Sequence, residues 1–241
     1  MKVFYLNCAR RLKLNRDKQN WLLDFVKSND IDVICLAESS NYDFGNLLPD
    51  IFPDDEKHRW NAPQSVLAKG GWKFNICSKI PAVFKSINYD VPDILIGSDD
   101  IELLTDYCTN TMISMTFANK VEILPVHIQH KKGNPKSRTK SNAYYEDSLL
   151  TLRNYMLSDS PIVVFGDFNN FPEDKSFLDL TDNTGYKKAN TEDVEYTYKN
   201  NEATPGFVID HTFTTCDNVK MKYINAIKHG FDHKGMLITI P

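Results

Sequence analysis

The run Val163-Val164-Phe165-Gly166-Asp167-Phe168-Asn169 limits what this chain can become more than any other stretch. A short apolar run that stops at a glycine reads as a buried strand. A carboxylate and a carboxamide follow at once, two residues apart. Where extended geometry persists, side chains at i and i+2 project the same way, so Asp167 and Asn169 would meet at one point on the rim of a sheet. A carboxylate there can hold a hard cation or take a proton from water. A carboxamide can donate to a phosphate oxygen and accept from a water. The same residues also suit a strand that ends in an Asx-turn.

The pattern returns toward the C-terminus. Val208-Ile209-Asp210-His211 again sets an acid at the end of an apolar run, and Phe231-Asp232-His233 precedes the strand-like Met236-Leu237-Ile238-Thr239-Ile240. Asp and His are poor core residues. Three strand-edge acids, two of them followed directly by His, therefore point away from packing and toward chemistry.

Periodicity predicts strands over 2–8, 31–37, 72–77, 161–166, 207–213, 220–227 and 235–240, and a hairpin of 111–118 and 121–127 about Asn119-Lys120. It predicts a helix over 16–28, with Trp21, Leu22, Phe25 and Val26 on one face, and a second over 142–157, with Tyr145, Leu149, Leu152 and Met156 on one face. A shorter helix is expected near 174–180. Residues 39–65 read as irregular, and 39–65 and 82–110 as substrate-shaping loops. Two long helices interleaved with about ten strands imply an α/β protein of two packed sheets with the helices outside.

With 241 residues, 41% of them hydrophobic, the chain can fill a single domain over 1–241. No apolar run is long enough to span a bilayer, and the N-terminus enters a strand pattern without a signal-peptide stretch. Five scattered cysteines, at 8, 35, 77, 108 and 216, suit free thiols in a reducing, cytoplasmic setting. The net charge of −4 counts against non-specific nucleic-acid binding. Positive charge is nevertheless gathered locally, in Arg10-Arg11-Leu12-Lys13 and in His130-Lys131-Lys132 through Lys136, Arg138 and Lys140. These runs read either as solvated loops or as phosphate-contacting loops beside a site.

Taken in chain order, the strand-end polar residues are Asn7, Glu38, His127, Asp167, Asn169, Asp210, Asp232 and His233. In that order the sequence resembles the endonuclease/exonuclease/phosphatase superfamily over nearly its whole length. Leu6-Asn7 is similar to the first motif of that family, and Cys35-Leu36-Ala37-Glu38 to its L-Q-E motif, with Ala37 in place of Gln. Ile76-Cys77-Ser78-Lys79 resembles its strand ending in Ser-Lys or Ser-Arg, and Val126-His127-Ile128 its histidine strand. Gly166-Asp167-Phe168-Asn169 reproduces its G-D-F-N motif. Ile209-Asp210-His211 and Asp232-His233 resemble the last two motifs, with Phe231 where Ser is usual.

The resemblance implies a four-layer α/β/β/α sandwich of two packed mixed β-sheets flanked by helices. It implies a Mg²⁺-dependent phosphodiesterase, with Mn²⁺ able to substitute, that directs water in line at phosphorus. Glu38, Asp232 and Asn7 are then the expected metal-binding residues. Asp210 would orient His233, Asp167 and His233 would activate water, and Asn169 and His127 would contact water or phosphate, with His130 an alternative to His127. His211 reads as structural and Tyr145 as core. The leading expectation is a nuclease whose DNA or RNA partner is gripped by Arg10, Lys131, Lys132 and Arg138, without an obligate protein partner. A phosphatase or phosphodiesterase of a small nucleotide, inositol phosphate or lipid head group is the alternative. A catalytically silent binding protein on the same fold is a third reading, against which the retained acids and His233 count.

Overall fold

Alternation along the first strand already dictates layers. In β1 (Lys2–Asn7), Val3 and Tyr5 join one buried cluster while Phe4 and Leu6 join another. A strand covered on both faces belongs at the centre of a layered fold. β2 (Val33–Ser39) repeats the pattern and runs parallel to β1. Between them crosses α1 (Arg16–Ser28), which lays Leu22 and Val26 on Phe4, Leu6, Ile34 and Leu36. Asn15 starts this helix by accepting the Lys18 N–H at 3.1 Å, an N-cap that satisfies one otherwise orphaned amide.

The same unit occurs a second time. β7 (Glu122–His127) and β8 (Val163–Asp167) are parallel and joined through α2 (Pro135–Ser158). Tyr145, Leu149, Leu152 and Met156 of α2 cover Leu124, Val126 and Val164. Antiparallel strands complete both sheets: β3 (Arg59–Pro63), β4 (Lys73–Ser78), β5 (Ala82–Ser86), β6 (Thr111–Phe117), β9 (Lys187–Lys188), β10 (Asp210–Thr214), β11 (Lys220–Ile224) and β12 (Gly235–Thr239). The orders are β11-β12-β1-β2-β4-β3 and β5-β6-β7-β8-β10-β9. Their inner faces share one core, in which Val3, Tyr5, Val33 and Cys35 meet Ile113, Met115, Ile123, Val163 and Phe165. The result is a four-layer α/β/β/α sandwich.

This computed structural model describes residues 1–9, 15–39, 48–53, 55–63, 73–87, 111–128, 135–159, 161–170, 174–189, 194–200 and 205–241. Among the described residues, no helix is long and apolar enough to cross a membrane.

Several boundaries differ from the periodicity reading. α2 begins at Pro135, seven residues before the expected start, so Lys136, Arg138 and Lys140 lie in a helix rather than a loop. Proline suits the first helical position, but cations oppose the helix dipole there and carry no apolar period, which hid the start. Within the supposedly irregular 39–65, Arg59–Pro63 forms the edge strand β3 against β4. Polar residues and a proline are edge-strand features and masked the alternation. Ala82–Ser86, read as part of a loop, pairs with β6. The strand expected over 207–213 starts only at Asp210, with Phe207 making an isolated bridge to Tyr198. The short helix α3 (Lys175–Leu178) continues as a 3₁₀ turn over Asp179–Thr181.

Gly166 fixes the centre of the second sheet. Its φ is 144°, and an added Cβ would lie 1.9 Å from the carbonyl oxygen of Val126, its register partner on β7. Both the left-handed backbone and the close strand therefore demand glycine. Gly166→Ala is expected to lower the unfolding free energy by more than about 3 kcal/mol, measured by chemical denaturation. A loss below about 1 kcal/mol would show that the strands separate freely here.

Candidate functional site

At one edge of the sandwich the apolar inward rows end in polar side chains. Val3 and Tyr5 are followed by Asn7, Ile123 by His127, and Val163 and Phe165 by Asp167, and all three terminal residues are buried. β10 is antiparallel to β8 and sets Asp210 opposite Asp167. Asp210 thus reaches the same edge at the start of its strand. Asp232 and His233, just ahead of β12, arrive there for the same reason, because β12 is antiparallel to β1.

Glu38 reaches the edge by another route. Strict alternation would turn it outward, next to the inward Ala37. Its φ of 48° breaks the alternation, at the point where the β2–β4 register shifts between Leu36 and Ser39. A non-glycine residue in this region is rare and marks a locally imposed conformation.

Asp167 is the hub. Its Oδ2 accepts from Asn7 Nδ2 at 3.0 Å and lies 3.9 Å from the Nε2 atoms of both His127 and His233. Asn7 Nδ2 also donates to Glu38 Oε1 at 3.3 Å, while Asn7 Oδ1 accepts the Ala9 N–H at 2.9 Å. The backbone contact fixes which end of the carboxamide faces the acids. His127 Nε2 lies 3.3 Å from Glu38 Oε1. His233 Nδ1 is 3.0 Å from Asp210 Oδ2, a bond that sets the ring so that Nε2 faces Asp167. Thr197 Oγ1 receives the N–H groups of Ile209 and Asp210, both at 3.0 Å, at the entry to β10.

The close packing of acids shifts their protonation. Burial and the neighbouring Asp210 carboxylate raise Asp167 to about 6, against the lowering pull of His233 and His127. Burial alone would lower His233, but the Asp210 bond and the charges of Asp210, Asp167 and Asp232 prevail and raise it to about 9. Burial would raise Glu38 as well. The His127 and Asn7 bonds and the His233 charge outweigh that and leave it below the usual carboxylate range.

These groups border a cavity of about 350 Å³. Glu38, Asp167, Asp232 and His233 contribute charged groups to its lining, and Tyr198, Phe207 and Ile209 contribute apolar surface. Hard carboxylate oxygens are the donors that Mg²⁺ and Mn²⁺ take, so the acids fit such an ion. Ligand atoms of Asp167, Asp210 and His233 lie within 4.8 Å of one another. Asp210 and His233 already spend theirs on each other, which makes that trio a proton-holding group and leaves Glu38 and Asp232 as the better cation donors.

The edge thus brings Asn7, Glu38, His127, Asp167, Asn169, Asp210, Asp232 and His233 together. One expectation needs correction. Asn169 has φ 47°, so the extended geometry ends before it. Its N–H closes an Asx-turn on Asp167 Oδ1 at 2.8 Å, and its Nδ2 donates to the Ile128 carbonyl at 2.8 Å. It borders the cavity without aiming its amide alongside Asp167. Arg10, Lys131, Lys132 and His130 lie outside the described residues, and Arg138 lies in the first turns of α2. Tyr145 is buried in the core under α2. Periodicity set Phe207 and Ile209 in a strand but marked neither of them, nor Tyr198 or Thr197, as a site residue. Tyr198 and Phe207 sit in an isolated bridge rather than a strand, with the Tyr198 ring 4.8 Å from that of His233.

The sequence profile of the Endonuclease/Exonuclease/phosphatase family matches residues 5–216. No curated protein sequence matches the chain significantly. Among solved structures, the 3′ phosphatase NExo from Neisseria, bound to a product DNA hairpin, superposes with a TM-score of 0.66 at 14% identity, covering 100% of this chain and 99% of that one. TDP2 from D. rerio, complexed with a single-strand DNA product, gives 0.66 at 14% identity over 99% and 97% of the two chains. Sphingomyelinase C from Streptomyces griseocarneus gives 0.64 at 12% identity over 99% and 98%. At these identities the likeness is one of fold.

Directly behind Asp210, on the outward face of β10, His211 packs against Phe168, Phe177 and Phe213. Its Nε2 is 2.9 Å from Asn170 Oδ1. Burial, with the charge of Lys188, lowers its pKa to about 3. An unfolded histidine titrates near 6.5, so between about 3 and about 6.5 the unfolded chain binds a proton that the fold refuses. Stability contributed by this group is complete above about pH 6.5 and is lost as pH falls through that window. The unfolding free energy of His211→Gln should therefore decline less steeply than the parent's from about pH 6.5 to about pH 4. Equal slopes in denaturation curves across that range would contradict the neutral, buried assignment.

Proposed function

The chain belongs to the endonuclease/exonuclease/phosphatase family, and we propose that it is a divalent-metal-dependent phosphoesterase acting on nucleic acid, with Mg²⁺ as its ordinary ion and Mn²⁺ as a substitute. The observation that carries this reading is the convergence of Asn7, His127 and His233 on Asp167 Oδ2, beside the carboxylates of Glu38 and Asp232. Glu38 and Asp232 are the residues to hold the ion. When bound, such an ion polarises a phosphoryl oxygen and acidifies a water.

The remaining roles belong to the chain. Asp167, raised to about 6, is a stronger base near neutrality than an ordinary aspartate and suits proton removal from the attacking water. His233 keeps Nδ1 on Asp210 and presents Nε2 to the cavity, where a proton can offset charge growing on phosphate. His127 supports the same oxygens. Asn7 already gives its carbonyl oxygen to the Ala9 N–H, which favours a role in holding Glu38 and Asp167 apart at a fixed spacing over direct ligation.

Nucleic acid is favoured by the DNA products bound in NExo and TDP2 and by the cations that open α2. Arg10, Lys131, Lys132 and Arg138 are the side chains proposed to meet its phosphates. The buried free thiols Cys8, Cys35 and Cys77 support a reducing, cytoplasmic setting. The net charge of −4 and the sphingomyelinase likeness favour the rival reading of a small phosphate ester.

Chelator-treated protein should regain turnover with Mg²⁺ or Mn²⁺ on a panel of abasic duplex DNA, single-stranded DNA, RNA and phosphorylated small molecules, with a polynucleotide the best substrate. Asp167→Asn and His233→Ala should each lower turnover about 10³-fold or more, and the double variant little further, because the two side chains face each other and act as a unit in the same step. Full turnover in excess chelator would sink the metal role. Preference for a small ester, together with an unchanged salt dependence after Lys131, Lys132 and Arg138 are converted to Ala, would move the rival reading ahead.

A further inference from the structure

The site draws on two sheets that share no strand pairing among the described residues. Asn7 and Glu38 come from the first sheet, and His127, Asp167 and Asp210 from the second. Apolar packing between the faces is non-directional and does not by itself fix how far one sheet slides on the other. Directional contacts must do that.

One row of side chains is built for it. Tyr5 on β1 pairs in register with Met236 on β12, and Met236 with Tyr223 on β11. Residues directly opposite across a ladder project to the same face, and all three belong to the inter-sheet core. Each then makes a polar contact with the facing sheet. Tyr5 Oη accepts the backbone N–H of Asp167 at 3.0 Å. Met236 Sδ receives the Thr212 hydroxyl at 3.6 Å. Tyr223 Oη donates to the backbone carbonyl of Asp210 at 2.8 Å. Asp167 and Asp210 are themselves register partners. Two tyrosines from one sheet therefore hold, by the main chain, the two acids at the heart of the site on the other.

We propose that Tyr5 and Tyr223 are positioning residues, which lock the Asp167–Asp210 pair onto the sheet that carries Asn7, Glu38 and, just ahead of β12, His233. The inference rests on the phosphoesterase reading, and the contacts that carry it are independent of substrate. Neither hydroxyl borders the cavity, so neither is placed to touch the reacting atoms. Burial, with the nearby carboxylates, raises Tyr5 well above its usual range, consistent with a permanently neutral strut.

The test compares Tyr5→Phe and Tyr223→Phe with Tyr186→Phe. The Tyr186 hydroxyl also makes a buried bond to main chain, the carbonyl of Pro161 ahead of β8, at the far end from the site. All three variants remove one hydroxyl bonded to main chain, so thermal melting should report losses of the same order. Only Tyr5→Phe and Tyr223→Phe should lower kcat, about 10- to 100-fold with KM nearly unchanged, as misplacement of reacting groups does. Amide hydrogen exchange supplies a readout free of activity. In Tyr5→Phe the Asp167 amide should exchange at least about tenfold faster while the ladder amide of Phe165 keeps its rate. Equal kcat in all three variants, or equal acceleration at Asp167 and Phe165, would overturn the proposal. If the parent hydrolyses no phosphoester, the functional reading fails by itself and the exchange pattern alone decides the strut.

Discussion

Every inward-facing row that stops short of solvent must end in something, and here the rows of both sheets end in groups that bind protons and cations. The core residues Val3, Tyr5, Val163 and Phe165 lie on the same faces as Asn7 and Asp167. Burial that stabilises the fold thus also anchors the floor of the site, and the site inherits the rigidity of the sandwich. The Asn7–Asp167 hydrogen bond, 3.0 Å and buried, is where the two halves meet. Glu38, His127 and His233 all lie against one or other of its partners.

That arrangement carries an electrostatic cost. Asp167, Asp210 and Asp232 are buried within one neighbourhood, and a buried carboxylate is expensive unless it is paired. Among the described residues, Asp210 Oδ1 has no hydrogen-bond partner. The fold meets the cost in part by charging His233, raised to about 9, and in part by letting Asp167 rise to about 6. A cation at Glu38 and Asp232 would relieve the remainder, and this links the stability of the pocket to its chemistry. A protein that gathers buried acids at the end of its core keeps them for a reason other than packing.

Much of this was legible in the residues. Continuous apolar runs located the central strands, because each is covered on both faces, and an apolar stripe of period 3.6 located the long helices, each buried on one face. The acids at 38, 167, 210 and 232 stood out because each interrupts such a run. The edge strands β3 and β5 left a weaker trace, since an edge needs little apolar content. The start of α2 was hidden by cations that no apolar stripe organises. Nor could periodicity see the positive φ angles at Glu38 and Asn169, which turn one side chain into the site and the other aside. The wall of Tyr198 and Phe207, and the tyrosine contacts across the sheets, depend on long-range register, which a linear pattern does not encode.

The central claim is that the polar ends of the two sheets form a cation-dependent phosphoester site. Anomalous scattering from crystals grown with Mn²⁺ addresses it most directly. A peak is expected in the cavity within coordination distance of the Glu38 carboxylate, near Asp232 and Asp167, with the Asp210–His233 bond intact. A cavity without a peak, or an ion seated between Asp210 and His233 with that bond broken, would contradict it.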